Sequence, residues 1–414
     1  MSAPQWWEGE RVDERRARAA WSALAEPGDL VAGALVGSLG PVDALALVGV
    51  AARSGLHEAW ARVVGPGPDA DGSSRAHDPR LERSVQRWAA RFADLDVDAD
   101  LGALAELGGV FVVPQDEAWP GGLDGLGLAA PFGIWVRGAA DLDVGLNRAV
   151  ALVGARASTS YGERVALELA AGVVDAGACV VSGGAYGIDA AAHRGALGRG
   201  GRTVVVLAGG VDRAYPAGNA RMFEAVVGEG GALLAEVPPG RTPTKSRFLQ
   251  RNRLIAAAAS ATVVVEAAWR SGAMSTAHHA ARLLRPVGAV PGPVTSVASA
   301  GCHRLLRDGS AVCVTDAAEV MDLAGLVGRD LADEPVTDAR SGDELDPETA
   351  RVLDALPRRV GVDVAAVAAR AGVTAHEAEA ALGLLELRGH AARAGAGWRL
   401  SASAGSGRGP AARS

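Results

Sequence analysis

A-V-A-L-V-G-A-R-A-S-T-S-Y-G, from Ala149 to Gly162, begins as an unbroken apolar run and turns abruptly into glycine, arginine and hydroxyls. A helical window then opens near Gly162. An apolar run without polar alternation marks a strand buried on both faces. The same signature returns at Cys179 to Gly183 (C-V-V-S-G), Thr203 to Leu207 (T-V-V-V-L), Ala232 to Ala235 and Thr262 to Glu266 (T-V-V-V-E), with V-G-A-V from Val287 as a further strand. Helical windows such as Gly162 to Ala176 and Asp189 to Leu197 lie between them. Buried strands alternating with helices predict an α/β fold, a doubly wound, mostly parallel sheet covered on both faces. Such sheets bind ligands in the crevice beyond the carboxyl ends of their strands.

Those ends carry the least ordinary chemistry in the chain. The first strand leads to Arg156 and the hydroxyls of Ser158, Thr159 and Ser160. The second leads to S-G-G-A-Y-G-I-D, where Gly183, Gly184 and Gly187 permit close backbone approach and a helix follows, an anion site by type. Neither loop has the G-x-G-x-x-G spacing of a dinucleotide site. Glu236 and P-P-G precede R-T-P-T-K-S-R-F-L-Q-R-N-R, Arg241 to Arg253, which has five cations, no acid and Lys245, the sole lysine of the chain. The strand ending at Glu266 leads to W-R-S-G-A-M-S-T-A, with Arg270, Ser271 and Gly272 ahead of another helix. A basic run in isolation reads as a solvated loop. Among strand-end loops it reads as a site for a polyanion. Phe248, the one aromatic of the run, either faces the site or fills the core ahead of Leu254 and Ile255. Arg251 and Arg253 face different ways, so one is expected to pair with Glu236 or Glu266 while the other meets phosphate.

The 414 residues are 49% hydrophobic and 21% charged with a net charge of -7, enough for two or three domains with sizeable cores. No stretch reaches the roughly 18 to 20 apolar residues that span a bilayer, and M-S-A-P-Q-W-W-E-G-E lacks a signal-peptide pattern. The expectation is a cytoplasmic protein without a membrane partner. Cys179, Cys302 and Cys313 are odd in number and have no C-x-x-C spacing, so neither a disulfide framework nor a cysteine zinc site is expected. Asp189 and His193, four apart, with Ser182 nearby, invite a hydrolase reading, but no G-x-S-x-G elbow accompanies them. His278 and His279 are adjacent and make a poor chelate. The expectation is a protein that is no enzyme and needs neither metal nor cofactor.

The domain organisation expected is an N-terminal helical region over 1–105, the α/β domain over 106–327, an acidic linker over 328–346, a winged helix over 347–401 and a disordered tail over 402–414. The turn-rich stretch Gly65 to Arg80 reads as a loop within the first of these. Leu30 to Val48 reads as two helices joined at Gly37 to Pro41, either a phosphate-binding helix-hairpin-helix or an ordinary hairpin, with no cation in the window. Thr374 opens the helix expected to stand at the recognition position of the winged fold. That helix carries Glu377, Glu379 and Glu386, which repel phosphate and point to a protein-contact role.

Taken together, V-G-A-R at Val153, S-G-G-A-Y-G-I-D-A-A-A-H at Ser182, Y-P at Tyr215, L-A-E-V-P-P-G at Leu234, F-L-Q-R-N-R-L-I at Phe248, S-G-A-M-S-T-A at Ser271 and V-P-G-P at Val290 resemble the DNA processing protein A family (DprA, also called Smf). The match covers about 170 residues in order. The resemblance implies a Rossmann-like domain that binds single-stranded DNA without catalysis, dimerises, and loads the recombinase RecA onto incoming DNA during natural transformation. It places DNA contacts on Arg156, on the loop holding Gly183, Gly184, Gly187 and Asp189, and on Lys245 and Phe248. Arg251, Asn252 and Arg253 of R-N-R, Ser271 and Gly272, and Arg285 complete the candidate interface. The family's G-T-N before the final helix is replaced by Gly301, Cys302 and His303, and no ligand role is carried onto His303. The alternative function, a nucleotide hydrolase of the lysine-decarboxylase-like group, would use P-G-G-x-G-T-x-x-E, which this chain lacks.

Overall fold

The computed structural model describes residues 13–64, 78–139, 141–142, 146–325 and 345–401. They fall into two compact units, one within 1–332 and one within 333–414. The tail, the Gly65 to Arg80 loop up to residue 77 and the linker up to residue 344 lie outside the described residues.

Among the described residues the helices ahead of the sheet are α1 (Glu14–Leu24), α2 (Leu30–Leu39), α3 (Pro41–Ser54), α4 (Leu56–Val63), α5 (Pro79–Phe92) and α6 (Val97–Glu106). Asp13, Asp29, Asp78 and Asp96 start four of them, each side chain accepting from a backbone amide of the first turn. No single helix here is long and apolar enough to cross a membrane, and α2 and α3 meet at 113°. A Cβ on Gly33 would lie 1.9 Å from the Leu128 carbonyl oxygen, so α2 packs directly on the backbone around Leu128. Trp21 and Trp88 meet edge to face at 5.2 Å, and the Trp135 indole donates to Ser22 Oγ at 3.1 Å. The same core continues through Phe111 and Trp135 to Val205 and Phe223 on the sheet. Packing is therefore continuous across 105/106, from the N-terminal helices into the sheet.

Nine strands follow: β1 (Gly109–Val112), β2 (Ile134–Gly138), β3 (Ala149–Val153), β4 (Cys179–Ser182), β5 (Thr203–Leu207), β6 (Ala232–Ala235), β7 (Ala261–Val264), β8 (Val287–Ala289) and β9 (Val312–Cys313). They form one sheet in the order β1-β2-β6-β5-β4-β3-β7-β8-β9. β3 to β9 pair in parallel, while β2 runs antiparallel to β6 and β1 antiparallel to β2. Every residue of β3 to β7 is buried, which is the packing that the unbroken apolar runs predict. The antiparallel pair β1–β2 was not anticipated. It lengthens the sheet at the β6 side without altering its centre.

The covering helices are α7 (Ser160–Asp175), α8 (Ile188–Leu197), α9 (Ala220–Gly228), α10 (Lys245–Ala257), α11 (Gly272–Arg282), α12 (Ala300–Arg307) and α13 (Ala317–Ala324). After β3 the chain lays β4, β5 and β6 outward in one direction, then returns past β3 to add β7, β8 and β9 on the other side. The reversal lies between β3 and β7, the place where open α/β sheets bind ligands.

The smaller unit holds α14 (Pro347–Ala355), α15 (Val364–Ala371), α16 (Ala375–Leu387) and the hairpin β10 (Ala391–Ala394) and β11 (Gly397–Leu400). Gly372, at φ 65°, caps α15 in the left-handed conformation. Thr374 and Glu377 form a reciprocal capping box at the start of α16. Val352, Leu382, Leu385 and Trp398 close the core of this winged helix. Glu377, Glu379 and Glu386 face solvent, so the acidic surface read from the sequence is present.

Candidate nucleic-acid interface

A cleft of about 960 Å³ opens at the β3/β7 reversal. Four helix N-termini reach it, those of α7, α8, α10 and α11. They are not equivalent. The first turns of α7 and α8 contain Glu163 and Asp189, whereas those of α10 and α11 contain no acid. The positive ends of α10 and α11 are therefore left for an external anion. Ser271 stands at the N-cap of α11 without making a side-chain cap bond, and Gly272 beside it is exposed.

The basic run does not form a loop throughout. Thr244 accepts from the Arg247 amide at 3.2 Å and starts α10, so Lys245 is its first residue. Most of the run's charge is used internally. Arg247 forms a two-pronged bond to Glu26 at 3.0 and 3.1 Å. Arg253 donates to Glu236 at 2.5 Å with both side chains buried. Arg251 is also buried, and its Nη1 donates to the carbonyls of Gly183 and Val206 at 2.7 and 2.6 Å. Burial lowers the Arg251 pKa to about 10, with Asp189 opposing that shift and Arg156 adding to it. The sequence expectation that one arginine of R-N-R meets phosphate is thus corrected: both are enclosed, one on a carboxylate and one on carbonyls. Lys245 remains exposed and makes no ion pair among the described residues.

Asn252 is buried and ties α10 to α11 by donating to the Gly272 carbonyl at 3.1 Å. Phe248 is neither free nor part of the core. Its ring lies on the cleft wall, with the Arg156 guanidinium 4.7 Å and the Tyr215 ring 5.5 Å from its centroid. Arg156 itself is exposed.

The glycine loop is filled from within. Asp189 turns back into it and takes the Ala185 amide at 3.4 Å, with the amides of Gly154 and Gly183 also directed at its carboxylate. Burial raises the Asp189 pKa, against the pull of Arg251 and of those amides. Gly184 and Gly187 sit at φ 66° and 75°, and a Cβ on Gly187 would come within 2.3 Å of the Ala155 carbonyl. Gly183 lies against the Arg251 guanidinium. These residues shape the floor of the cleft, and the anion expected in the loop is the chain's own carboxylate.

Arg285 is placed away from the cleft. Its guanidinium donates to the carbonyls of Ala256, Ala259 and Gly122. The Ser182, Asp189, His193 trio does not assemble as a catalytic relay. Ser182 Oγ donates to the Leu152 carbonyl at 2.6 Å, and His193 Nδ1 lies 2.7 Å from Thr203 Oγ1, which itself donates to Val180. Burial, aided by Arg251, pushes the His193 pKa down to about 3. No group of three or more candidate metal ligands occurs among the described residues. Sequence reasoning missed Tyr215, Leu249 and Val297 as walls of the cleft. Tyr215, an aromatic inside a Gly/Pro-rich strand-end loop, was the one legible signal among them.

The family model for DNA recombination-mediator protein A matches residues 110–325, from Val110 of β1 through the rest of the sheet. The chain belongs to this family. The DprA winged helix domain matches residues 336–397. A Mycobacterium tuberculosis (strain H37Rv) protein that bears the DprA name is 44% identical over 352 residues, covering 83% of this chain and 89% of the relative. The Streptococcus pneumoniae DNA processing protein DprA is 35% identical over 206 residues, covering 50% and 71% respectively. The X-ray structure of DprA from Streptococcus pneumoniae superposes with a TM-score of 0.56 at 25% identity, covering 77% of this chain and all of that one. Where the recombination-mediator family typically carries G-T-N, the Cys302 thiol here is buried and bonds the Val264 carbonyl at 3.4 Å. His303 Nε2 lies 3.0 Å from the Gly292 carbonyl, and Gly301, Cys302 and His303 fall inside α12 rather than ahead of it.

Proposed function

We propose that the cleft holds single-stranded DNA and that the protein is a non-catalytic recombination mediator. In that role it protects incoming DNA and loads RecA during natural transformation, acting as a cytoplasmic homodimer. The observation that carries the DNA assignment is Lys245: an exposed cation with no ion-pair partner among the described residues, at the open end of α10, beside an aromatic ring and a second exposed cation, Arg156. Strand binding without sequence preference calls for cations along the backbone path and rings for the bases. Ser271 and Gly272, at the acid-free start of α11, offer backbone amides to a second phosphate. The enclosed residues Gly183, Gly184, Gly187, Asp189, Arg251, Asn252 and Arg253 support this surface from beneath. The acidic winged helix is assigned to a protein contact.

A gel shift with matched single and double strands, repeated over a salt series, tests the reading. Tighter single-strand binding is expected, with log Kd changing by about 0.7 per phosphate per decade of salt. The Lys245→Ala, Arg156→Ala double variant should weaken binding and flatten that slope. Unchanged affinity and slope in the double variant would reject the site.

A further inference from the structure

Among the described residues three aromatic side chains are half exposed: Tyr186 at 51%, Tyr215 at 50% and Trp269 at 50%. They share one location. Tyr215 follows β5, Tyr186 follows β4 and Trp269 follows β7, all beyond the carboxyl ends of parallel strands. Since these strands lie in the order β5-β4-β3-β7, the rings come from loops arranged across the edge of the sheet, and the β3 loop supplies Arg156 to the gap. At the usual inter-strand spacing of about 4.8 Å, the four loops span roughly 14 Å.

We propose that Tyr215, Tyr186 and Trp269 form a base-stacking track that carries a single strand across the sheet edge, at right angles to the strands and beyond the cleft on either side. The proposal rests on the single-strand reading of the cleft. Each ring is backed on one side. The Arg304 guanidinium lies 4.8 Å from the Trp269 centroid, Tyr215 leans on Phe248 at 5.5 Å, and the Tyr186 hydroxyl lies against Gly218, where a Cβ would fall 2.6 Å away. Rings fixed in this way lose little freedom when a base lands on the open face. Exposed Arg270 and partly exposed Arg304 extend the cationic path of Lys245 and Arg156 toward Trp269. Asp308 takes part of the Arg304 charge at 3.3 Å, and the exposed Asp212, ahead of Tyr215, is held by the Gly240 amide. A duplex keeps its base faces inside its own stack, so this track selects single strands by chemistry and not only by shape.

The test uses the full chain and an oligothymidylate of roughly twenty nucleotides, a length that covers a site of this kind, beside an abasic oligomer of equal length. Trp269→Ala and Tyr186→Ala should each weaken oligothymidylate binding about five-fold or more, the effect of one lost stack. Trp269→Phe should restore most of the loss, the salt slope should stay at the wild-type value, and the abasic strand should bind wild type and alanine variants alike. Wild-type affinity for oligothymidylate in both alanine variants overturns the track. The Lys245→Ala, Arg156→Ala variant is measured alongside. If it alone loses affinity, the cleft stands and the track falls; if the aromatic variants alone lose affinity, the track stands and the cleft assignment falls; if neither does, both fall.

Discussion

Arg253→Met tests the division of the basic run most sharply. Arg253 and Glu236 meet at 2.5 Å with side-chain exposures of 3% and 8%, so removing the arginine strands a carboxylate in the interior. Breaking a buried pair from one side costs about 3–5 kcal/mol. The pair itself is imperfectly satisfied: Arg253 Nε and Nη1 and Glu236 Oε2 are buried without hydrogen-bond partners among the described residues. Each such atom carries a penalty on the order of 1–3 kcal/mol. Replacing both partners should therefore cost far less than replacing one, and Arg253→Met with Glu236→Leu should lie within about 2 kcal/mol of wild type. Urea unfolding followed by circular dichroism gives the three free energies of the cycle, and the single variant should melt about 6–20 °C lower. A stable Arg253→Met protein that has lost single-strand affinity, with a flatter salt slope, would show that this guanidinium meets phosphate and that the buried assignment is wrong.

Lys245→Ala alone should leave the melting temperature within about 1 °C of wild type, since exposed substitutions away from special features are near neutral, while single-strand affinity falls in the same preparation. Gly187→Ala forces a side chain into φ 75° and a 2.3 Å approach to the Ala155 carbonyl, so a loss of at least about 2 kcal/mol is expected in urea unfolding. His193 has a folded-state pKa of about 3, below its unfolded value, so stability from keeping it neutral is complete above about pH 6.5 and is lost as pH falls toward 3. Denaturation at pH 7 and pH 5 should show that decline, with a smaller slope in His193→Gln. Deleting the chain from residue 345 onward should leave single-strand affinity within about two-fold, because α16 offers acids to a phosphate; a larger loss would place DNA on the winged helix.

The strands were legible because β3 to β7 are buried on both faces, and such burial admits only apolar residues. β1 and β2 were not: β1 is a four-residue strand that starts at glycine and is only half buried, so its local signal is thin. That Lys245, Phe248 and Arg156 line the cleft was legible from their places in or beside strand-end loops. The fate of the other cations could not. Arg247 is neutralised by Glu26, 221 residues away, and no periodicity announces such a contact. Likewise Gly183 to Asp189 reads as a vacant anion cradle until the backbone shows Asp189 folded back into it.

That inward carboxylate occupies the place a small phosphate would take in the loop. A free nucleotide arriving at the floor of the cleft would have to displace a tethered competitor present at very high effective concentration. On the proposed single-strand reading, a strand engaging Lys245, Arg156 and the start of α11 would bypass the contest by landing on the rim. Asp189→Gly, which empties the cradle, is the change that would make ATP an effective competitor.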